Sequence, residues 1–187
     1  MVNGVELLAE SGGKVDEEVL ELIQHSAGET TRRLKFYRVA FGVPAEALTL
    51  DGVRAIADDY FAIGKITLEW SGAILESPAS AHLNPIILNL LLCGAEALPR
   101  GGTIAIDGAP VGGGFALRIK ARGDVIKADD DALLSLSGDR DLATLEPRGI
   151  APYMAAQLVS AAGGKIGVTP TAEMMEFTVT LPIASDH

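Results

Sequence analysis

Histidine and cysteine, the side chains most widely used as nucleophiles and transition-metal ligands, occur only four times in this chain, at His25, His82, Cys93 and His187. Imidazole is nucleophilic at neutral pH and titrates near physiological pH, so the histidines are the first candidates for covalent or acid–base chemistry. A single cysteine excludes an internal disulfide and a cysteine-rich zinc site. The chemistry open to the chain therefore depends on what surrounds each histidine.

The local sequence around these residues favours structural roles. His25 stands in IQHSAGE near the start of a predicted long helix, and no aspartate follows it, so we interpret it as a partly exposed helix residue. His82, in SAHLNP, is interpreted as structural, and His187 is the terminal residue. Cys93 lies in an apolar helical segment, which favours a buried, inert thiol.

Charge and hydropathy restrict the partners. The 187 residues carry a formal net charge of -10, which disfavours nucleic acid and anionic membranes because phosphates would be repelled. The most apolar stretch, PIILNLLLCGAEAL, contains Asn89 and Glu96 and is too short and too polar to span a bilayer. The start of the chain lacks the basic region of a signal peptide. We therefore expect a cytoplasmic protein.

The first part of the chain has the pattern of a helical hairpin. A short helix is predicted over Val2–Ala9, and a long one over about Asp16–Phe41, with acids in its first turn and bases in its last turns, where the helix dipole favours them. Its apolar positions follow a near-heptad spacing, which is typical of a helix that packs lengthwise in a bundle. The predicted bundle residues are Val19, Ile23, Leu34, Tyr37 and Phe41.

The two arms of this hairpin differ in length. At the rise of an α-helix, the second arm would be roughly 39 Å long and the first only roughly 12 Å. Much of the apolar seam on the second arm would then be uncovered, and an exposed apolar seam needs a partner. We expect another chain to cover it, or the first arm to be a fragment of a longer helix, or both.

The remainder of the chain predicts one open sheet covered by helices on one face, in the order α-β-α-β-β-α-β-β. The first helix should run from about Gly52 to Ile63 with Asp51 as its cap, followed by a strand around Leu68. A long buried helix is predicted from Ser77 to Leu98, unless Pro85 resets its start. We place a domain boundary near Gly42–Pro44, which gives domains of residues 1–43 and 44–187.

Six shorter segments complete this predicted sheet and its helices. GGTIAIDG and FALRIKARG should form paired strands, with GAPVGGG as the turn between them rather than a phosphate loop, because the lysine and the following helix are missing. An acidic segment over Asp129–Arg148 has a weaker pattern. A helix over GIAPYMAAQLVSAAGG then precedes the strands GKIGV and MEFTVTLPI.

Three stretches within about Lys65–Pro182 resemble the ATPase domain of histidine kinases. LNLLLCGAEALPRGGTIAI resembles the N-box helix and the strand after it, and Asn89 stands at the first asparagine of that box. FALRIKARGDVIK resembles the strand and loop of the Asp-x-Gly-x-Gly box, which includes Gly123. RGIAPYMAAQLVSAAGGKIGV resembles the glycine-rich lid and the following helix.

The differences from that family's pattern indicate that the pocket no longer binds a nucleotide. Cys93 replaces the second N-box asparagine, and a thiol is a poor ligand for magnesium. Ala121 replaces the aspartate that reads adenine, and Val125 replaces a glycine needed for close backbone approach. The lid glycines are reduced to Gly149, so no phosphate cradle remains. The degenerate pocket positions are therefore Asn89, Cys93, Ala121, Gly123 and Val125, and we expect no cofactor and no metal.

NGVELL at Asn3–Leu8 and FYRVAFG at Phe36–Gly42 resemble the signatures of ChpT-type histidine phosphotransferases of alphaproteobacterial phosphorelays. The resemblance covers essentially the whole chain. It implies an α+β protein in which a helical hairpin forms a dimeric four-helix bundle, followed by a degenerate histidine-kinase-type ATPase α/β sandwich. It also implies a homodimer that relays a phosphoryl group from the receiver domain of a hybrid kinase to that of a response regulator.

The same resemblance places the phosphate carrier, a His-Asp pair, roughly three helical turns before Asn3. That position falls upstream of Met1, so we expect no catalytic residue within the chain. Possible receiver-binding residues are Asn3, Glu6 and Leu7. Two alternatives stay open: a non-catalytic dimeric scaffold that binds receivers, and a divergent ATP-binding kinase-like protein.

Overall fold

The computed structural model describes residues 17–42, 48–75, 83–138 and 140–182. The predicted helix Val2–Ala9, the candidate receiver-binding residues Asn3, Glu6 and Leu7, and His82 and His187 lie outside these residues. The described helices are α1 Glu17–Phe41, α2 Leu50–Phe61, α3 Gly72–Leu75, α4 Leu83–Glu96, α5 Asp130–Ser135 and α6 Ile150–Ala161, and short 3-10 turns lie at Leu142–Thr144 and Pro147–Gly149. The strands are β1 Ile66–Trp70, β2 Gly102–Val111, β3 Gly114–Arg122, β4 Lys165–Pro170 and β5 Met174–Pro182.

The five strands form one mixed sheet in the order β1-β2-β3-β5-β4. β1 pairs parallel to β2, with Leu68 opposite Ile104, and the other three pairings are antiparallel. β2 and β3 are joined by a tight hairpin, and β5 then enters beside β3 after the α5–α6 segment. The predicted single open sheet is confirmed.

Side-chain alternation shows which face of the sheet carries the core. Ile104 and Ile106 on β2 and Leu117 and Ile119 on β3 are fully or almost fully buried. Their neighbours point to the opposite face, where Arg118 lies 3.0 Å from Glu176 and is half exposed. The helices that the structure describes therefore cover one face of the sheet, as the α+β prediction expects.

Helix α4 is the centre of the core. Eleven of its 14 residues are buried, because α1 and α6 pack on it from outside and β2 and β3 lie beneath it. A helix that is apolar all round must be enclosed in this way. Within the described residues, no helix combines the length and the apolar character needed to cross a bilayer.

Two local predictions were wrong. Thr49, not Asp51, caps α2: Thr49 has an extended backbone, and its Oγ1 accepts a hydrogen bond from the Gly52 amide at 3.2 Å, whereas Asp51 is already inside the first turn. The β2–β3 turn is only Gly112-Gly113, both with positive φ, so Gly108–Val111 belong to the strand rather than the turn. Helix α4 is described from Leu83, and its predicted start at Ser77 lies in residues 76–82, outside the described part.

Candidate functional site

The C-terminal turns of α1 pack into the core between the five-stranded sheet and the helices that cover it, which together we call the sheet domain. Phe36 is fully buried and Ala40 is 1% exposed. The Phe36 ring stacks on Tyr60 of α2 with centroids 4.1 Å apart and meets Phe61 edge-on at 6.1 Å. These aromatic contacts hold the C-terminal end of α1 against α2.

The predicted bundle residues lie on a different side of α1 from Phe36 and Ala40. Leu34 is 64% exposed, and Tyr37 and Phe41 are also exposed, while Val19 and Ile23 are partly exposed. The Tyr37 hydroxyl lies 3.1 Å from that of Tyr60 in the same chain. The prediction that this side forms a dimer interface stays a prediction.

Asn89 joins α4 to α1. Its Nδ2 donates a hydrogen bond to the Ala40 carbonyl at 2.7 Å and another to the Pro85 carbonyl at 2.8 Å. The side chain is fully buried. The residue that resembles the first N-box asparagine thus satisfies a carbonyl in the last turn of α1, where no intrahelical donor is available.

Cys93 and Ala121 sit where the helix and the sheet approach closely. Both are buried, and burial raises the pKa of the Cys93 thiol well above its ordinary value, with the nearby Glu96 charge adding to the effect. A protonated thiol is a poor ligand for a hard cation. The predicted burial of Cys93 is confirmed, and at position 121 a methyl group offers no hydrogen-bond acceptor.

Gly123 and Val125 lie in the loop after β3. A Cβ on Gly123 would be 2.7 Å from the Gly101 carbonyl oxygen and 2.8 Å from Leu98 Cδ2. Glycine at this position therefore allows close packing against the protein's own chain. Val125 is half-buried.

A cavity of about 250 Å³ lies between α4, α5, α6 and β5. Of the five predicted pocket positions, Cys93 is the one that lines it. Its floor is formed by Leu136, Met175 and Phe177, and its mouth carries four charged side chains that sequence reasoning did not select, namely Glu96, Lys127, Asp129 and Arg148.

The charges at the mouth are loosely paired. Asp129 Oδ2 lies 3.8 Å from Lys127 Nζ and 3.9 Å from Arg148 Nη1. The pKa of Glu96 is raised, first by partial burial and then by the charge of Asp129, while Arg148 and Lys127 act in the opposite direction. Among the described residues, no cluster of histidine, cysteine and carboxylate side chains could hold a metal ion.

His25 lies on the exposed surface of α1. Its side chain is 62% exposed, and its Nε2 is 3.9 Å from Glu29 Oε1, one helical turn further on. A contact of this length between exposed groups holds the imidazole only weakly in one orientation. His25 is thus accessible but not positioned by a close partner.

Comparison with known proteins agrees with this architecture. The family described as "Histidine phosphotransferase C-terminal domain" matches residues 50–174. The chain is 32% identical over 181 residues to the protein phosphotransferase ChpT of Brucella abortus (strain 2308), and the match covers 94% of this chain and 84% of that protein.

Solved structures show the same similarity in three dimensions. A bacterial phosphotransferase structure superposes with a TM-score of 0.79 at 30% identity, covering 95% of this chain and 84% of the other. The catalytic domain of the histidine kinase ThkA has a TM-score of 0.54 at 16% identity, over 71% of this chain and 88% of the other. The sheet domain therefore has the fold of a histidine-kinase ATPase domain.

Proposed function

Because the chain belongs to the ChpT-type histidine phosphotransferases, we propose that it acts in a phosphorelay between the receiver domain of a hybrid histidine kinase and that of a response regulator. The observation that supports this most directly is the similarity to a phosphotransferase over 94% of the chain. In such a relay, an imidazole nitrogen takes the phosphoryl group from a receiver aspartate and passes it to a second aspartate. The receiver brings the magnesium, so the phosphotransferase needs no metal of its own.

The proposal includes a sheet domain that works without ATP. The described residues do not fit the nucleotide: Asn89 is engaged with two backbone carbonyls, Cys93 presents a protonated thiol, and Ala121 presents a methyl group. In this proposal the domain serves as a rigid support for α1, fixed by Asn89 and by the stacked ring of Phe36.

The proposal also includes a homodimer. An exposed apolar side chain such as Leu34 would be covered if α1 packed lengthwise against the same helix of a second copy. This arrangement would leave the charged outer side of α1, including His25, open to receivers. Nucleic acid and membranes are not among the proposed partners.

Within this proposal His25 is not the phosphate carrier. A carrier must be held in line with the attacking or leaving oxygen, and His25 has only the distant Glu29 carboxylate to orient it. We therefore propose that this chain binds receivers but is not labelled on His25.

A labelling experiment tests these statements together. The chain is incubated with a receiver domain phosphorylated on its aspartate, and acid-labile phosphate on the chain is followed by phosphate-affinity electrophoresis. We expect receiver binding by calorimetry and no label on His25, with His25→Ala behaving like the unchanged chain. Stable label that disappears in His25→Ala would overturn the assignment.

The alternatives are separated by two further outcomes. Receiver binding without any phosphate transfer, even when His-containing segments of related proteins are supplied, would favour a non-catalytic scaffold, for which the altered nucleotide pocket is the supporting observation. Tight magnesium-dependent ATP binding would favour a kinase-like protein and would contradict the proposal of a domain that works without ATP.

A further inference from the structure

The cavity between α4, α5, α6 and β5 is small for a ligand-binding site. Its volume of about 250 Å³ lies below the range of about 300–1,000 Å³ usual for drug-sized ligands. It is larger than the roughly 150 Å³ that accommodates a benzene ring in an engineered protein core. The space therefore suits one ring or one branched aliphatic group.

The floor of the cavity is apolar. Leu136, Met175 and Phe177 are 5%, 3% and 2% exposed. Ala132 and Leu133 of α5 form a wall. None of these side chains has a hydrogen-bond donor or acceptor of ordinary strength, so a polar group at the floor would lose its hydration without compensation. The part of a ligand that enters the cavity must be hydrocarbon.

The mouth carries both signs of charge within a short distance. Asp129 is shared between Lys127 and Arg148 at 3.8 and 3.9 Å, and the two cationic side chains are 53% and 66% exposed. Glu96 has no ion-pair partner within 4.0 Å among the described residues. Pairs this long and this exposed contribute little, so a ligand can replace them at small cost.

We propose that this cavity binds an α-amino acid with an apolar side chain. The side chain would occupy the floor, the α-ammonium group would lie between Glu96 and Asp129, and the α-carboxylate would pair with Arg148 and Lys127. A purely cationic ligand would leave Lys127 and Arg148 without a counter-charge. A purely anionic ligand would leave Glu96 and Asp129 without one. An amino acid matches both, and this site is separate from the phosphotransfer proposed above.

Calorimetric titration of the whole chain with L-phenylalanine and L-leucine tests the proposal. Removing the ammonium group (3-phenylpropionate) or the carboxylate (phenethylamine) should weaken binding by about two- to fivefold, the value of a partly exposed ion pair. Glycine, which lacks the side chain, should bind at least about tenfold more weakly. No saturable binding of either amino acid, or equal affinity for 3-phenylpropionate, would overturn the proposal.

Two variants with matched controls locate the binding. Ala132→Leu places extra methyl groups in the cavity and should weaken L-phenylalanine binding by about tenfold, whereas Ala55→Leu, on the exposed surface of α2, should leave it unchanged. Glu96→Gln should reduce the preference for L-phenylalanine over 3-phenylpropionate, because Asp129 alone then faces the ammonium group, while Glu69→Gln, exposed on β1, should keep it. Unchanged binding in Ala132→Leu, or an unchanged preference in Glu96→Gln, would contradict the site.

Discussion

Asn89 stands in a motif that suggests nucleotide binding, but its contacts are structural. In the resemblance it stands in a nucleotide-binding box, but in the structure both of its Nδ2 hydrogens are used by backbone carbonyls. A buried amide with these contacts cannot also present its donors to a ligand. The motif residue has a structural role here, which the sequence alone could not distinguish.

Replacing Asn89 should therefore destabilise the fold. Asn89→Ala leaves the Ala40 carbonyl buried without its donor, and we expect the free energy of unfolding to fall by about 2 kcal/mol, measured by urea denaturation. The control is Gln157→Ala, which removes a similar amide contact to the Gly138 carbonyl at an exposed site. A loss no larger in Asn89→Ala than in the control would contradict the structural role.

The raised pKa of Tyr60 predicts how the free energy of unfolding changes at alkaline pH. Burial, and then the hydrogen bond to Tyr37, raise the pKa of Tyr60 in the folded state. As pH rises above about 10, the unfolded state loses this proton while the folded state keeps it, so the unfolding free energy should decrease. Tyr60→Phe should show a shallower decrease than the unchanged chain, and an equally steep decrease in Tyr60→Phe would contradict the role of this hydroxyl.

Single residues were predictable where the local sequence decides their environment. Cys93 in an apolar helix was expected to be buried, and it is. Glu96 and Arg148 were not expected at one cavity mouth, because they are 52 positions apart and only the packing of α4 against the α5–α6 segment brings them together. Side-chain spacing carries no information about such tertiary neighbours.

At the scale of elements, two substitutions test whether Thr49 rather than Asp51 caps helix α2. Thr49→Ala removes the hydrogen bond to the Gly52 amide and should lower the unfolding free energy by about 1 kcal/mol, measured in guanidinium. Asp51→Ala removes only a charge near the helix N-terminus, for which the expected loss is about 0.5 kcal/mol. A larger loss in Asp51→Ala would restore the original prediction.

Elements with strong periodic patterns were predicted with nearly their observed bounds. The long helix was placed at about Asp16–Phe41 and is described over Glu17–Phe41, and the last two strands and the helix before them were also found. The β2–β3 turn was misplaced because Pro110 and three neighbouring glycines look like a loop, although strand pairing continues to Val111 opposite Gly114. Pairing with a neighbour overrode the local propensity.

For the whole molecule, the exposed side of α1 predicts the oligomeric state. Leu34→Glu places a charge in the proposed bundle seam and should raise the dimer dissociation constant by at least about tenfold, measured by analytical ultracentrifugation. Leu142→Glu changes an equally exposed leucine outside the seam and should have no effect, since Leu34 and Leu142 are 64% and 66% exposed. A monomer in the unchanged chain would exclude the homodimer.

The division into domains of residues 1–43 and 44–187 stays a prediction, and residues 43–47 are outside the described part. The structure nevertheless shows that the end of α1 belongs to the core of the sheet domain, through Phe36 and Ala40. The heptad pattern pointed to Leu34, Tyr37 and Phe41 as the buried side of α1. It could not reveal that a second side, offset from the first, faces the chain's own core.

This offset has a consequence for the dynamics of α1. Its last turns are fixed by Phe36, Ala40 and Asn89, whereas Glu17–Gln24 have no buried residue in a single chain. Amide hydrogen exchange along one continuous helix should therefore be graded: slow near Ala40, where exchange requires global unfolding, and fast near Glu17, where local fraying suffices. A second chain packed on α1 would slow exchange most in the turns that the core does not reach.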